Sequence, residues 1–272
     1  MTTAKRKDHH ETARSPEIVE LRPHLYQFPG EKPGSHVYLI RGLNKNVLID
    51  TGIASNFPYM TKCLRKIGLK VKDIHFVILT HEHFDHIGAA AFFFETAVIA
   101  AHRLAANKIE LQDEFVTMTR YIDADSKLFY AHLWLEDDTL IDFGNYRLRV
   151  IHTPGHTSGC ICFYEVREEL LFSGDTVFAG GTLSDIASSG NISDYVNSLE
   201  RLSALKIVEL YPGHGRVSLS PEQDMKQAVT YARTLMEDSK ILFEAITQKT
   251  GIPSIQALLK RSGTKGAKEV GK

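Results

Sequence analysis

The sequence predicts one layered α/β domain, and three observations carry the prediction. Two stretches of strand signals each pass into helix signals, and each ends in loops crowded with histidine and aspartate; strands and helices in that order bury their apolar faces against one another as layers. The run over residues 74–79 is almost continuously apolar, as a strand covered on both faces must be. With 272 residues, 43% of them hydrophobic and 24% charged, the chain can bury a sizeable core.

Taken in order, strand signals fall at 17–21, 24–28, 35–41 and 46–50, punctuated by Pro33-Gly34 and by 42–45. Residues 57–67 predict a helix, closed by Gly68 in the left-handed position that ends many helices. The strand at 74–79 follows, then a helix over 87–95 and a short strand at 97–100. Residues 101–132 read as mainly helical and rich in aromatics, among them Phe115, Tyr121, Phe129 and Tyr130. Strands return at 139–141, 146–151, 160–165 and 169–172, followed by a helix at 193–205, a strand at 207–210 and a long helix from Pro221. The expected domain spans 17–263, with residues 1–16 and 264–272 as flexible, solvated tails.

A formal net charge of −1 supplies no global field for nucleic acid or an anionic membrane, so neither is expected as a partner. The longest apolar run, 87–94, falls far short of the ~20 residues of a membrane span, and the first residues lack the apolar stretch of a secretory signal. Cys63, Cys160 and Cys162 make an odd total. The last two sit on alternate positions of one strand, held apart, so all three read as reduced, apolar residues of a cytoplasmic protein.

The segment Thr80-His81-Glu82-His83-Phe84-Asp85-His86 concentrates three imidazoles and two carboxylates directly after the apolar strand. Imidazole and carboxylate are common ligands of divalent metals, and a strand-end loop aims several of them at one point. Histidines and aspartates at strand ends also serve as caps. Three further segments in turn-rich contexts weigh against that reading: Thr153-Pro154-Gly155-His156-Thr157, Ser173-Gly174-Asp175-Thr176 and Tyr211-Pro212-Gly213-His214-Gly215. Together they point to two adjacent metals. The remaining histidines, His24, His36, His75, His102, His132 and His152, have no comparable spacing and stay unassigned.

His81-x-His83-x-Asp85-His86, followed by His156, Asp175 and His214, resembles the ligand signature of the metallo-β-lactamase superfamily over roughly residues 17–217. That resemblance implies an αβ/βα sandwich of four layers, with the metals in a cleft at one edge of two facing sheets. By position, His81, His83 and His156 would hold one divalent ion, Asp85, His86 and His214 a second, and Asp175 would bridge them. Zinc is the expected metal, although the same donors accept iron or manganese. The implied reaction is hydrolysis of a small-molecule thioester, ester or lactone by a metal-bridging hydroxide, which Asp85 would help to aim. Asp50 in Ile49-Asp50-Thr51-Gly52 would orient a ligand histidine, as Thr80 and Thr157 could through their hydroxyls.

Within that superfamily the context of Asp175 is most similar to the glyoxalase II-like hydroxyacylglutathione hydrolases. Only 58 residues follow His214, however, and no basic glutathione-binding residues can be matched. An iron sulfur dioxygenase is the alternative, disfavoured because 178–185 lacks the arginine such enzymes carry; a phosphodiesterase would need a basic groove. The aromatics of 101–135 are expected first as packing residues, and second as a lid over an acyl chain facing a wall at Phe57-Pro58-Tyr59.

Overall fold

The computed structural model describes residues 18–119, 123 and 125–250, with side chains described through 242. Among the described residues twelve strands form two sheets. The first has seven strands in chain order: β1 (Val19–Arg22), β2 (Leu25–Phe28), β3 (Val37–Arg41), β4 (Asn46–Ile49), β5 (Ile74–Ile78), β6 (Val98–His102) and β7 (Leu133–Leu135). It is antiparallel through β4 and parallel from there on. The second runs β12 (Glu209–Pro212), β11 (Leu170–Gly174), β10 (Ile161–Glu165), β9 (Arg147–His152), β8 (Leu140–Asp142), with only β11 and β12 parallel.

The two-residue period of the strands builds three cores from these two sheets. On β3, Tyr38 and Ile40 face the other sheet while Val37 and Leu39 face helices; on β10, Ile161 and Phe163 face inward while Cys162 and Tyr164 face out. The inter-sheet core joins these residues to Val47, Ile49, Leu170, Phe172 and Tyr211. The second core packs the first sheet against α1 (Phe57–Lys66) and α3 (Arg103–Glu110), through Met60, Cys63, Leu64, Ala105 and Ile109. The third packs the other sheet against α5 (Ile192–Ser203) and α6 (Pro221–Thr250), through Tyr195, Leu199, Leu202, Met225 and Ala228. Helix, sheet, sheet, helix is the four-layer sandwich the resemblance implied.

Parallel pairing at one edge gathers the loops. β4 and β5 end side by side, with Ile49 opposite Ile78 and Asp50 N–H donating to the Ile78 carbonyl at 3.0 Å. β11 and β12 likewise end together, Gly174 opposite Pro212. Ile161 N–H donates to the Thr80 carbonyl at 2.8 Å, tying the end of one sheet to the start of a strand in the other.

The long elements agree with the sequence reading to within a residue or two, and three expectations are corrected. The helix over 87–95 is replaced by a single turn, α2 (Phe84–Ile87), and a 3₁₀ turn, Ala90–Phe93. That run is apolar on every side, so packing of Ile87, Ala89, Ala90 and Phe93 into the core decides the backbone. Among the described residues the stretch 101–132 is not one long helix: α3 and α4 (Glu114–Thr117) are separate, with Gln112 and Met118 in the left-handed region beyond their ends. The wall expected at Phe57 is a core contact: its ring stacks on Phe92 at 4.2 Å. Phe129 packs on the same core, whereas Phe115 stands exposed. The expected tails, the start of the first strand at Glu17, Tyr121 and the end of the domain beyond 250 lie outside the described residues. All three cysteines are free and buried. Among the described residues no helix is long and apolar enough to cross a membrane.

Candidate metal centre

The turn after β5 delivers His81 and His83, and α2 then presents Asp85 and His86 from its single turn. His156 comes from the loop between β9 and β10, Asp175 from the end of β11, and His214 from the end of β12. Two glycines make this convergence possible. Gly174 has a φ of +50°, and a Cβ there would lie 2.7 Å from the Thr80 side chain; a Cβ on Gly213 would meet Asp175 and come within 2.6 Å of His86 Cε1.

All seven residues of the predicted set meet in one place. His81, His83 and His156 bring donor atoms together, as do Asp85, His86 and His214, and His81, His86 and Asp175 form a third overlapping group. Nitrogen faces nitrogen in the first group: His83 Nδ1 is 3.2 Å from His81 Nε2 and 2.9 Å from His156 Nε2. In the second, His214 Nε2 lies 2.9 Å from Asp85 Oδ2 and 3.7 Å from Asp175 Oδ2, while His86 Nε2 faces Asp175 Oδ1 at 3.2 Å.

The surroundings fix which ring nitrogens point inward. His86 Nδ1 donates to Asp50 Oδ2 at 2.8 Å, and His156 Nδ1 donates to the Asp185 carbonyl at 2.7 Å. His81 Nδ1 lies 3.2 Å from Thr80 Oγ1, whose own proton goes to Asp50 Oδ2. With Nδ1 turned to an acceptor in all three rings, Nε2 is the nitrogen each of them leaves facing the cluster. His86 Nε2 and Asp175 Oδ1 are buried and make no well-formed hydrogen bond, only a 3.2 Å approach to each other, which a cation between them would relieve. These donors fit divalent metal ions.

Electrostatics divides the set. Burial drives His81 well below the ordinary histidine range and His83 down to about 4, so these rings are neutral and free to ligate. Burial also opposes charge on His86, but Asp175, Asp85 and Asp50 overcome it and hold that ring well above its usual value. Asp175 and Asp85 stay ionised against their own burial because His86 and His214 face them. The first group thus offers neutral rings in His81 and His83, and the second two carboxylates that would offset part of the charge of a pair of dications.

Above the donors opens a cavity of about 450 Å³ that includes His83, Asp85, His156 and Asp175 in its wall. Its other sides are Phe115, Val116 and Met118 around α4, and residues 184–188.

Asp50 and Thr80 play the orienting parts expected of them. Thr157 does not: its hydroxyl donates to Glu82 Oε2 at 3.0 Å. His152 stays outside the cluster, its ring stacked on His102. Sequence reasoning missed Glu82, His36 and Asp185. Fully buried Glu82 also receives Ser189 Oγ at 3.3 Å. His36 accepts Gly30 N–H at Nδ1 and donates from Nε2 to the Gly215 carbonyl at 2.6 Å, beside the ligand candidate His214. Asp185 acts through its main chain, which no side-chain signal announces.

The fold and this donor set define a metallo-hydrolase. The profile of the Metallo-beta-lactamase superfamily matches residues 31–214, and the chain belongs to that superfamily. It is 31% identical over 206 residues to the acyl-coenzyme A thioesterase MBLAC2 of Homo sapiens, spanning 66% of this chain and 72% of the relative. The hydroxyacylglutathione hydrolase of Francisella philomiragia is 28% identical over 181 residues, 66% of this chain and 62% of the relative. A metallo-beta-lactamase family protein from Thermus thermophilus shares the fold with a TM-score of 0.68 at 24% identity, over 80% of this chain and 82% of that one.

Proposed function

We propose that the chain is a dinuclear metal-dependent hydrolase of acyl thioesters. One observation carries the reading: seven donor residues, in overlapping groups, converge beneath one cavity. The similarity to an acyl-coenzyme A thioesterase and a hydroxyacylglutathione hydrolase supports the thioester over the ester and lactone classes. His81, His83 and His156 would hold one ion, Asp85, His86 and His214 the other, and Asp175, which groups with both His81 and His86, would be shared between them. Zinc suits this nitrogen and oxygen set. Bound there, a pair of divalent ions supplies Lewis acidity to the acyl carbonyl and an acidified water.

The chain's own residues do the rest. Water oxygen bonds to the thioester carbon, the C–S bond breaks, and the products are a carboxylic acid and a thiol. Asp85, held ionised at the cavity wall, accepts a hydrogen bond from the attacking water and aims its lone pair. The cysteines are no alternative nucleophiles. Burial pushes the Cys160 thiol well above its usual range and Cys162 up to about 11, and neither lines the cavity.

The test is metal quantification on the purified chain, followed by hydrolysis rates on matched thioester, lactone and phosphodiester panels. Two equivalents of metal with thioesters fastest is the expected result. Fewer than two metals and no hydrolysis of thioesters would overturn the proposal.

A further inference from the structure

Three residues with large apolar side chains stand at the mouth of the metal cavity: Phe115, 81% exposed, Ile186, 42% exposed, and half-buried Met118. Single exposed apolar residues are ordinary on a protein surface. These three line one cavity whose floor is the metal centre, so the apolar rim is continuous with the place where a carbonyl would sit.

The two walls are held differently. The segment of Ile186 is stitched to His156: Asp185 O accepts from His156 Nδ1, and Ala187 N–H donates to the His156 carbonyl at 2.9 Å. Ser189 Oγ adds a bond to buried Glu82, which also holds Thr157 next to His156. Ile186 therefore has a fixed position relative to the reacting centre. The opposite wall, α4, is a single turn with Met118 at a φ of +55° beyond its end; Ser188 Oγ donates to the Phe115 carbonyl at 3.1 Å across the gap.

Charge narrows the occupant. None of the described lining residues is lysine or arginine; the polar ones are histidine, aspartate and serine. A substrate whose acyl end carried a carboxylate or phosphate, away from the metals, would find no lysine or arginine among the described lining residues and would face the exposed carboxylate of Asp185. An uncharged apolar chain meets Phe115, Met118, Ile186 and Ala187.

We infer that the cleft between Phe115 and Ile186 is an acyl-chain slot, and that it selects thioesters of extended, uncharged apolar acyl groups over short or acidic ones. The inference rests on the thioester reading given above and names the acyl class for that site.

The probes are acetyl, octanoyl and decanoyl thioesters of N-acetylcysteamine, which keep the leaving group constant, used on the metal-loaded chain. The octanoyl-to-acetyl ratio of kcat/KM should exceed one, and it should fall about tenfold in Phe115→Ser and in Ile186→Ser, the discrimination that a few apolar contacts provide. Leu219→Ser, at an exposed leucine outside the cavity lining, should leave the ratio as it is. Calorimetric binding of decanoate against acetate gives a readout that needs no turnover: decanoate should bind more tightly, and the advantage should shrink in both slot variants. Thioester hydrolysis with a flat chain-length profile, or a ratio unmoved by both substitutions, would overturn the slot while leaving the hydrolase intact. No thioester hydrolysis, with decanoate still preferred, would overturn the hydrolase reading and leave the apolar cleft standing.

Discussion

Asp50 and His86 form the most consequential pair in the centre: Asp50 Oδ2 accepts the Nδ1 proton of His86 at 2.8 Å, and both side chains are buried. The same carboxylate accepts the Thr80 amide at Oδ1 and the Thr80 hydroxyl at Oδ2, each at 2.7 Å. Asp50 sits at a φ of +58°, strained for most side chains and tolerable for aspartate or asparagine. It fixes the strand-end turn that launches the His81 to His86 segment, and it selects the tautomer in which His86 offers Nε2.

Asp50→Asn keeps the left-handed backbone and removes the anionic acceptor. Metal affinity at the Asp85, His86 and His214 group should fall about 10- to 100-fold, as when an outer partner of a ligating histidine is lost. Chelator competition monitored by metal content measures it. Wild-type retention of the weaker-held ion would sink the orienting role.

The seven donors were legible in the sequence because each lies in a short turn next to a strand, where residue type and spacing survive folding. Asp50 was legible for the same reason, as a carboxylate closing a strand before Thr51-Gly52. Glu82 was hidden because its partners Thr157 and Ser189 are distant in sequence, and Ile186 because nothing local tells a cavity wall from a surface loop. Asp185 orients His156 through a carbonyl every residue possesses. The apolar run 87–94 showed that the segment is buried, but not its backbone, since uniform hydrophobicity has no face for a helical period to mark.

His36 joins two loops, with Gly30 N–H on one ring nitrogen and the Gly215 carbonyl on the other, so that it holds the backbone next to His214. His36→Ala leaves both groups without that partner and should cost about 1–3 kcal/mol of stability. The loss should be larger in the metal-loaded protein than in the metal-free one, because only the former also loses His214 as a well-placed donor. Urea titrations of both forms provide the comparison, and equal losses would reduce His36 to a plain structural bridge.

Asp85 combines a hydrogen bond from His214 Nε2 with a place in the cavity wall. Asp85→Asn keeps the size and removes the charge that orients the attacking water. With saturating metal, kcat should drop about 10²- to 10⁴-fold, the range for a positioned general base, with KM changing much less. Equal damage to KM would show that the residue serves binding instead.

His102 and His152 stack at 3.9 Å between ring centres, and His102 is buried, with Nδ1 accepting the Leu104 amide at 3.4 Å. Burial first, then His152 and Arg103, lower the His102 value to about 4, with Asp137 opposing them. A folded-state value below the unfolded one, about 6.5, means the stabilisation is complete above pH 6.5 and is lost as pH falls toward 4. His102→Asn supplies a neutral acceptor for the same amide. In metal-loaded samples the wild type should lose stability faster than this variant between pH 6.5 and 4. The divergence approaches about 3 kcal/mol at the acid end, because each tenfold loss of proton affinity on folding costs about 1.4 kcal/mol once the ring must charge. Denaturant midpoints across that range give the two curves. Parallel curves would mean that the stacked pair relaxes and admits the proton without penalty.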